Sequence, residues 1–252
     1  MKNLILMLSA VAGLTLTACE YDNYDAPSYE FSGTLKTADG SDFSYDSNRT
    51  LFQFFQSGYG KVDTGTNMRV DDDGNFQQLL FKADYKLTLI NRNLPFEIDE
   101  FPALSSGYDT ISYKITKNVK ETFTIRLYYT IKNLSVELVG KRITATFDVI
   151  KNHDTQQEAP RIIRTYIYLG TTMLTNSSTS CQRLTQVKTA VTPDEQTMTA
   201  AIPLSYYRDK TYYVNNYRDY AFVRVGILLD GVPDYVLVSD IVKITDLPYA
   251  VE

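Results

Sequence analysis

The sequence predicts an all-β fold: two β-sandwich domains in tandem behind a short N-terminal leader that is cleaved from the mature chain. Three observations carry this. Past the leader, apolar residues recur at every second position, most cleanly where Ile143, Ala145, Phe147 and Val149 alternate with Arg142, Thr144, Thr146 and Asp148. Turn signals such as Ala38-Asp39-Gly40, Gly140, Gly170 and Asp230-Gly231 cut the chain into strand-length pieces. Tyrosine, which favours strands, occurs 20 times, and no amphipathic stretch of helical period and useful length follows the leader.

The leader occupies residues 1–18. Met1-Lys2-Asn3 is a short basic start, and Leu4 to Leu16 is an apolar run of secretory-signal length, too short to span a bilayer. The run ends in Leu16-Thr17-Ala18-Cys19, which resembles the lipobox of bacterial lipoproteins. That resemblance implies cleavage before Cys19 and acylation of its thiol, with several acyl chains giving stable anchoring in the outer membrane. Glu20-Tyr21-Asp22-Asn23-Tyr24-Asp25 follows. Acids at that place resemble the signal that sends lipoproteins of gut-anaerobe Gram-negative bacteria to the cell exterior, and they also solvate a tether. Residues 19–28 form this acidic tether, of which 20–28 reach at most about 30 Å when extended.

The first domain is placed at 29–125. Strands are expected at Tyr29 to Leu35, Leu51 to Phe55, Gln77 to Phe81, Tyr85 to Leu89, Asp109 to Ile115 and Thr122 to Tyr129. Asp71-Asp72-Asp73-Gly74 reads as a hairpin turn with solvated acids; as a calcium loop it lacks the ordered ligand spacing and distal Glu of an EF-hand. Pro95, Pro102 and Ser105-Ser106-Gly107 mark a long connection. Phe31, Gly33, Gly40, Gly74, Phe76, Tyr85, Leu87 and Leu89 together resemble the transthyretin-like or carboxypeptidase-regulatory sandwich, with Ala83-Asp84 where that family has a glycine before the tyrosine.

The second domain is placed at 126–252, with one strand running across the boundary. Strands are expected at Arg142 to Val149, Ile162 to Leu169, Thr197 to Ile202, Ala221 to Leu228 and Tyr235 to Ile244, which suggests an immunoglobulin or fibronectin-type sandwich. Leader, first domain and second domain in this order resemble a family of two-domain surface lipoproteins of unassigned function. Their genes sit beside SusC/SusD-type glycan importers, so the resemblance implies SusC/SusD-type partners.

Composition narrows the function. Loss of Lys2 with the leader leaves 30 acidic residues against one fewer than the chain's 25 basic ones, which disfavours a nucleic-acid surface. Cys19 and Cys181 are the only cysteines, so acylation of Cys19 leaves Cys181 without an intrachain partner, and it reads as a bystander thiol. The single histidine, His153, rules out common multi-histidine metal sites and lies in the polar stretch Lys151 to Glu158, an exposed loop. No nucleophile elbow, phosphate loop or dinucleotide fingerprint occurs. The reading is a non-enzyme with no catalytic residues, cofactor or metal.

The tyrosines carry the binding hypothesis. With Ile163, Thr165, Ile167 and Leu169 facing the core, Arg164, Tyr166 and Tyr168 line the opposite face of their strand. Tyr206, Tyr207, Tyr212, Tyr213, Asn215 and Tyr217 follow within a stretch of aromatics, amides and charges ending at Tyr220. A flat aromatic platform flanked by amides suits a sugar, whose C–H face is apolar and whose rim is hydroxyl. The alternative reading packs these rings on the sandwich rim or at a domain interface. The expected function is therefore a surface lipoprotein that captures oligosaccharide for an importer, or else a structural subunit of the importer complex that touches no sugar.

Overall fold

The computed structural model describes residues 26–41, 43–46, 50–56, 65–101, 110–177, 181–187, 195–203, 218–232 and 235–249, with backbone alone at 181–187 and 195. The all-β expectation holds: these residues form sixteen strands and no helix.

The first sandwich contains β1 (Tyr29–Thr37), β2 (Thr50–Gln56), β3 (Thr66–Arg69), β4 (Asn75–Leu80), β5 (Ala83–Leu89), β6 (Phe96–Ile98), β7 (Ile111–Ile115) and β8 (Val119–Leu127). One sheet runs β4-β1-β8-β6 and the other β3-β2-β5-β7. Period-two alternation turns Phe31, Leu35, Phe76, Phe123 and Ile125 of the first toward Phe52, Phe54, Tyr85 and Leu87 of the second, all buried. Their rings interlock: Phe52 lies 5.4 Å from Phe76 and 5.2 Å from Phe123, and Phe54 meets Phe31 edge-on at 4.9 Å. Gly33 is obligatory in β1, because a Cβ there would sit 2.2 Å from the Glu121 carbonyl and 2.5 Å from the Phe76 ring. β1 and β8 pair in parallel, Phe31 opposite Val119 through Thr37 opposite Ile125.

One local expectation changes here. The Asp71–Gly74 turn is a corner between sheets: β3 pairs with β2 and β4 with β1. The turn is closed by an isolated bridge from Val70 to Phe76, by the Asp71 amide on the Asn75 carbonyl (2.8 Å) and by the Gly74 amide on the Asp71 carbonyl (3.1 Å). Its shape is set by Gly74 at φ +80° and by the Asp71 carboxylate, which accepts the amides of Asp73 (3.0 Å) and Asn75 (2.7 Å). Ala83 and Asp84 belong to β5, opposite Ile115 and Lys114.

The second sandwich contains β9 (Tyr129–Val139), β10 (Arg142–Lys151), β11 (Ile162–Gly170), β12 (Cys181–Val187), β13 (Glu195–Ala201), β14 (Ala221–Leu229), β15 (Val236–Val238) and β16 (Val242–Ile244). Tyr128 alone separates β8 from β9. One sheet runs β13-β10-β9; the other runs β12-β11-β14-β15, with β16 also on β14. Ile143, Ala145, Phe147 and Val149 of β10 are all buried. The stretch Tyr235 to Ile244, expected as one strand, is two. Ser239 breaks it, its hydroxyl accepting the Val225 amide at 3.0 Å while its own amide donates to the Val225 carbonyl.

One end of the first sandwich packs on the outer face of the β11–β14 sheet. Ser44 bridges to Val238 and its hydroxyl donates to Asp240 at 2.7 Å, while the Tyr235 hydroxyl donates to the Thr50 carbonyl at 2.9 Å. At the centre lies Arg224, 1 % exposed. Its Nε donates to the Ser239 carbonyl (2.6 Å), and its Nη1 faces the Thr175 carbonyl (3.2 Å) and Asp72 Oδ2 (3.4 Å). One of the three acids of the corner is thus drawn into the seam rather than left to water. Asp46, 2 % exposed, receives the Ser177 amide at 3.4 Å. Burial pulls the Arg224 guanidinium below its ordinary pKa, and the charges of Asp72, Asp46 and Asp240 oppose that.

This packing corrects the expectation for Tyr166 and Tyr168. They do lie on the face of β11 opposite Ile167 and Leu169, yet they are 3 % and 0 % exposed, so neither offers a platform to a sugar. The second face is covered as well as the first. Arg224 stands opposite Tyr168 in the register, and Gly226 makes room for the Tyr168 ring, which a Cβ would approach to 2.6 Å. The two tyrosine rings stack on each other at 5.7 Å. Their role is in the domain seam.

Candidate functional site

Cys19, Tyr206, Tyr207, Tyr212, Tyr213, Asn215 and Tyr217 lie outside the described residues. The flanks of the tyrosine-rich stretch are placed on the second sandwich. The Ile202 amide donates to the Lys141 carbonyl (3.0 Å), and Arg218 Nη1 donates to the Thr171 carbonyl (3.0 Å). Lys243 Nζ stands 4.3 Å above the Tyr220 ring there. Cys181 opens β12 opposite Gly170, and His153 is exposed in its loop.

A concavity lies elsewhere, where the two domains meet beside Tyr128. Leu89 at the end of β5, Leu94, Phe96, Ile98, Phe101 and Tyr128 give it an apolar floor, and Arg92, Asn93, Gln156 and Gln157 stand at its rim. Its volume is about 230 Å³. That is below the roughly 300–1,000 Å³ that encloses a drug-sized ligand, and it suits one ring rather than a chain. The loop before β6 is shaped locally, by the Asn93 amide on Asn91 Oδ1 (3.0 Å) and the Leu94 amide on the Arg92 carbonyl (3.0 Å).

The acids of this crevice are committed to the protein itself. Glu97 accepts the backbone amides of Gln156 and Gln157, each at 2.7 Å, and so fixes the second domain's loop against β6. Asp99 takes a two-pronged bond from Arg126, at 2.7 Å to Nε and 2.8 Å to Nη2. Arg126 reaches on to Asp154 at 3.7 Å, and the Asp99 bond chiefly raises its pKa. Tyr128 is hydrogen-bonded to Glu97; burial first, and that carboxylate second, push its phenol up to about 12. The side-chain amides of Asn93, Gln156 and Gln157 remain, exposed and with no hydrogen bond among the described residues.

Such a crevice offers apolar contact below and amide donors and acceptors, with the Arg92 guanidinium beside them, around the mouth. Among the described residues no group of histidine, cysteine or acidic side chains could hold a metal ion. None of these residues was legible as a site in the sequence. Asn93 sits in an Asn-Arg-Asn loop and Gln156-Gln157 in a polar run, and a polar loop carries no local mark of what it faces.

Two family models match the chain in order. The protein of unknown function (DUF3823) N-terminal domain covers residues 29–126, and the domain of unknown function DUF3823_C covers 129–243. No curated protein matches. Among solved structures, a DUF3823 family protein from Bacteroides ovatus is 25% identical, with 86% of this chain and 99% of that one covered at a TM-score of 0.59. Another from Parabacteroides merdae is 19% identical, covering 88% and 100% at a TM-score of 0.61. A protein from Bacteroides uniformis, described as a candidate carbohydrate binder, is 17% identical, covering 87% and 100% at a TM-score of 0.59. These last two likenesses are of fold. With both domain models matched in sequence order, the chain belongs to the DUF3823 family.

Proposed function

We propose that this protein is a non-catalytic surface lipoprotein that holds a glycan close to the outer membrane for uptake. The seam crevice carries the reading: an apolar floor, a rim of three side-chain amides unengaged among the described residues with Arg92 beside them, and lining carboxylates already bonded suit a sugar ring and its hydroxyls. The fold-level likeness to a Bacteroides uniformis protein described as a candidate carbohydrate binder supports it. The tyrosines between 206 and 217 supply a second contact for a longer glycan. The lipobox ending in Cys19 supplies the anchor, and the acidic residues behind it direct the chain outward, where a SusC/SusD-type importer is the partner.

Affinity gels cast with a panel of soluble polysaccharides test the sugar reading. The protein is retarded by at least one of them; the Asn93→Ala, Gln157→Ala double variant loses that retardation, and a Tyr212→Ala, Tyr213→Ala, Tyr217→Ala variant weakens it. No retardation across the panel overturns the reading, and co-purification with an importer subunit would then favour the structural role. Labelling of cells with radioactive palmitate tests the anchor: label is incorporated, and Cys19→Ala abolishes it.

A further inference from the structure

A second concavity, in the first domain, has the opposite electrical character. A groove of about 630 Å³ runs beside β1 and β4, within the size range of ligand sites. Arg69 and Lys120 both line it, and both are exposed. Neither is paired with an acid among the described residues, where the salt bridges are those of Arg126, Arg161 and Arg224. The one carboxylate lining the groove, Asp71, is consumed by its own turn: it accepts the Asp73 and Asn75 amides and the Asn75 side-chain nitrogen.

Between the two cations the neutral side chains are aligned by the sheet. Ser32 stands opposite both Gln77 and Lys120 in the register. The amide nitrogens of Gln77 and Asn75 are held by Glu30 (2.8 Å) and Asp71 (3.2 Å), so each side chain is left with its carbonyl oxygen as an unengaged acceptor. Two cations against one lining carboxylate leave the groove net positive, which favours an anion; oriented acceptors and the Ser32 hydroxyl favour hydroxyl groups beside it. We propose that this groove binds an acidic sugar unit, a uronate or a sulfated residue, as a site separate from the seam crevice.

Affinity electrophoresis of the full mature chain in polygalacturonate, chondroitin sulfate and neutral laminarin tests it. The protein is retarded by an acidic polymer, the first of these if carboxylate suffices and only the second if sulfate is needed. The Arg69→Ala, Lys120→Ala variant loses at least tenfold in affinity, as does wild type on raising salt. The same variant leaves retardation by neutral glycan unchanged, whereas Asn93→Ala with Gln157→Ala does the reverse, so the two sites fail separately. Lys36→Ala with Lys132→Ala, which removes two other exposed cations, leaves acidic binding intact. The proposal is overturned if neither acidic polymer retards wild type, or if the Lys36, Lys132 control loses as much as the groove variant.

Discussion

Two arginines face each other's domains across the seam, and they are held in contrasting ways. Arg126, on β8 of the first sandwich, is part-exposed, yet its fork grips Asp99 at 2.7 and 2.8 Å before reaching Asp154 of the second domain. Arg224, on β14 of the second, is almost wholly buried, and its contact with Asp72 of the first is 3.4 Å. Bonding raises the pKa of the first, and desolvation lowers that of the second. A short, well-aligned pair near water adds little that water did not already supply; a long one in the interior decides whether the surrounding charges can stay buried at all. The less ideal geometry therefore marks the more consequential residue.

That contrast can be broken at several points, from the largest effect to the smallest. Arg224→Met leaves Asp46 and Asp72 in the seam without their guanidinium and costs about 3–5 kcal/mol, the range for breaking a buried pair. Urea unfolding reads the loss, and adding Asp46→Asn and Asp72→Asn returns more than half of it. Asp99→Asn acts less on global stability; hydrogen exchange in 154–157 reads the loosened loop. On the Arg126 side, Tyr128 has a folded-state pKa of about 12 against an ordinary 10. Its contribution is complete below pH 10 and is lost as pH rises through 12, so Tyr128→Phe flattens the alkaline limb of the stability profile. Arg161→Ala, which removes an exposed pair with Asp230, changes stability by about 0.5 kcal/mol or less.

What could be read from the sequence was what depends on near neighbours. The alternation over 142–149 fixes which face of β10 is inward, because pleat and burial share a period of two. Short strands escaped that test: β3 buries only Met68, and β6 has three residues, too few to show a period. Tyr166 and Tyr168 were read as surface because alternation describes a sheet with one wet side, and here the other side lies under a second domain. A signal for that did exist. Val223-Arg224-Val225-Gly226-Ile227 places one charge in an otherwise apolar strand, the pattern of a sheet buried on both faces with a cation that must find partners inside. The crevice had no such signal, since Glu97 and Gln157 are brought together only by the docking of the domains.

The parallel pairing of β1 with β8 has a mechanical consequence. Because the entering and leaving strands of the first sandwich point the same way, the chain arrives at one end of that unit and departs from the other, roughly 30 Å on for a nine-residue strand. An antiparallel pair would have returned the chain to its point of entry. If the proposed anchor at Cys19 holds, the first sandwich is a spacer that sets the second one off from the membrane by that length.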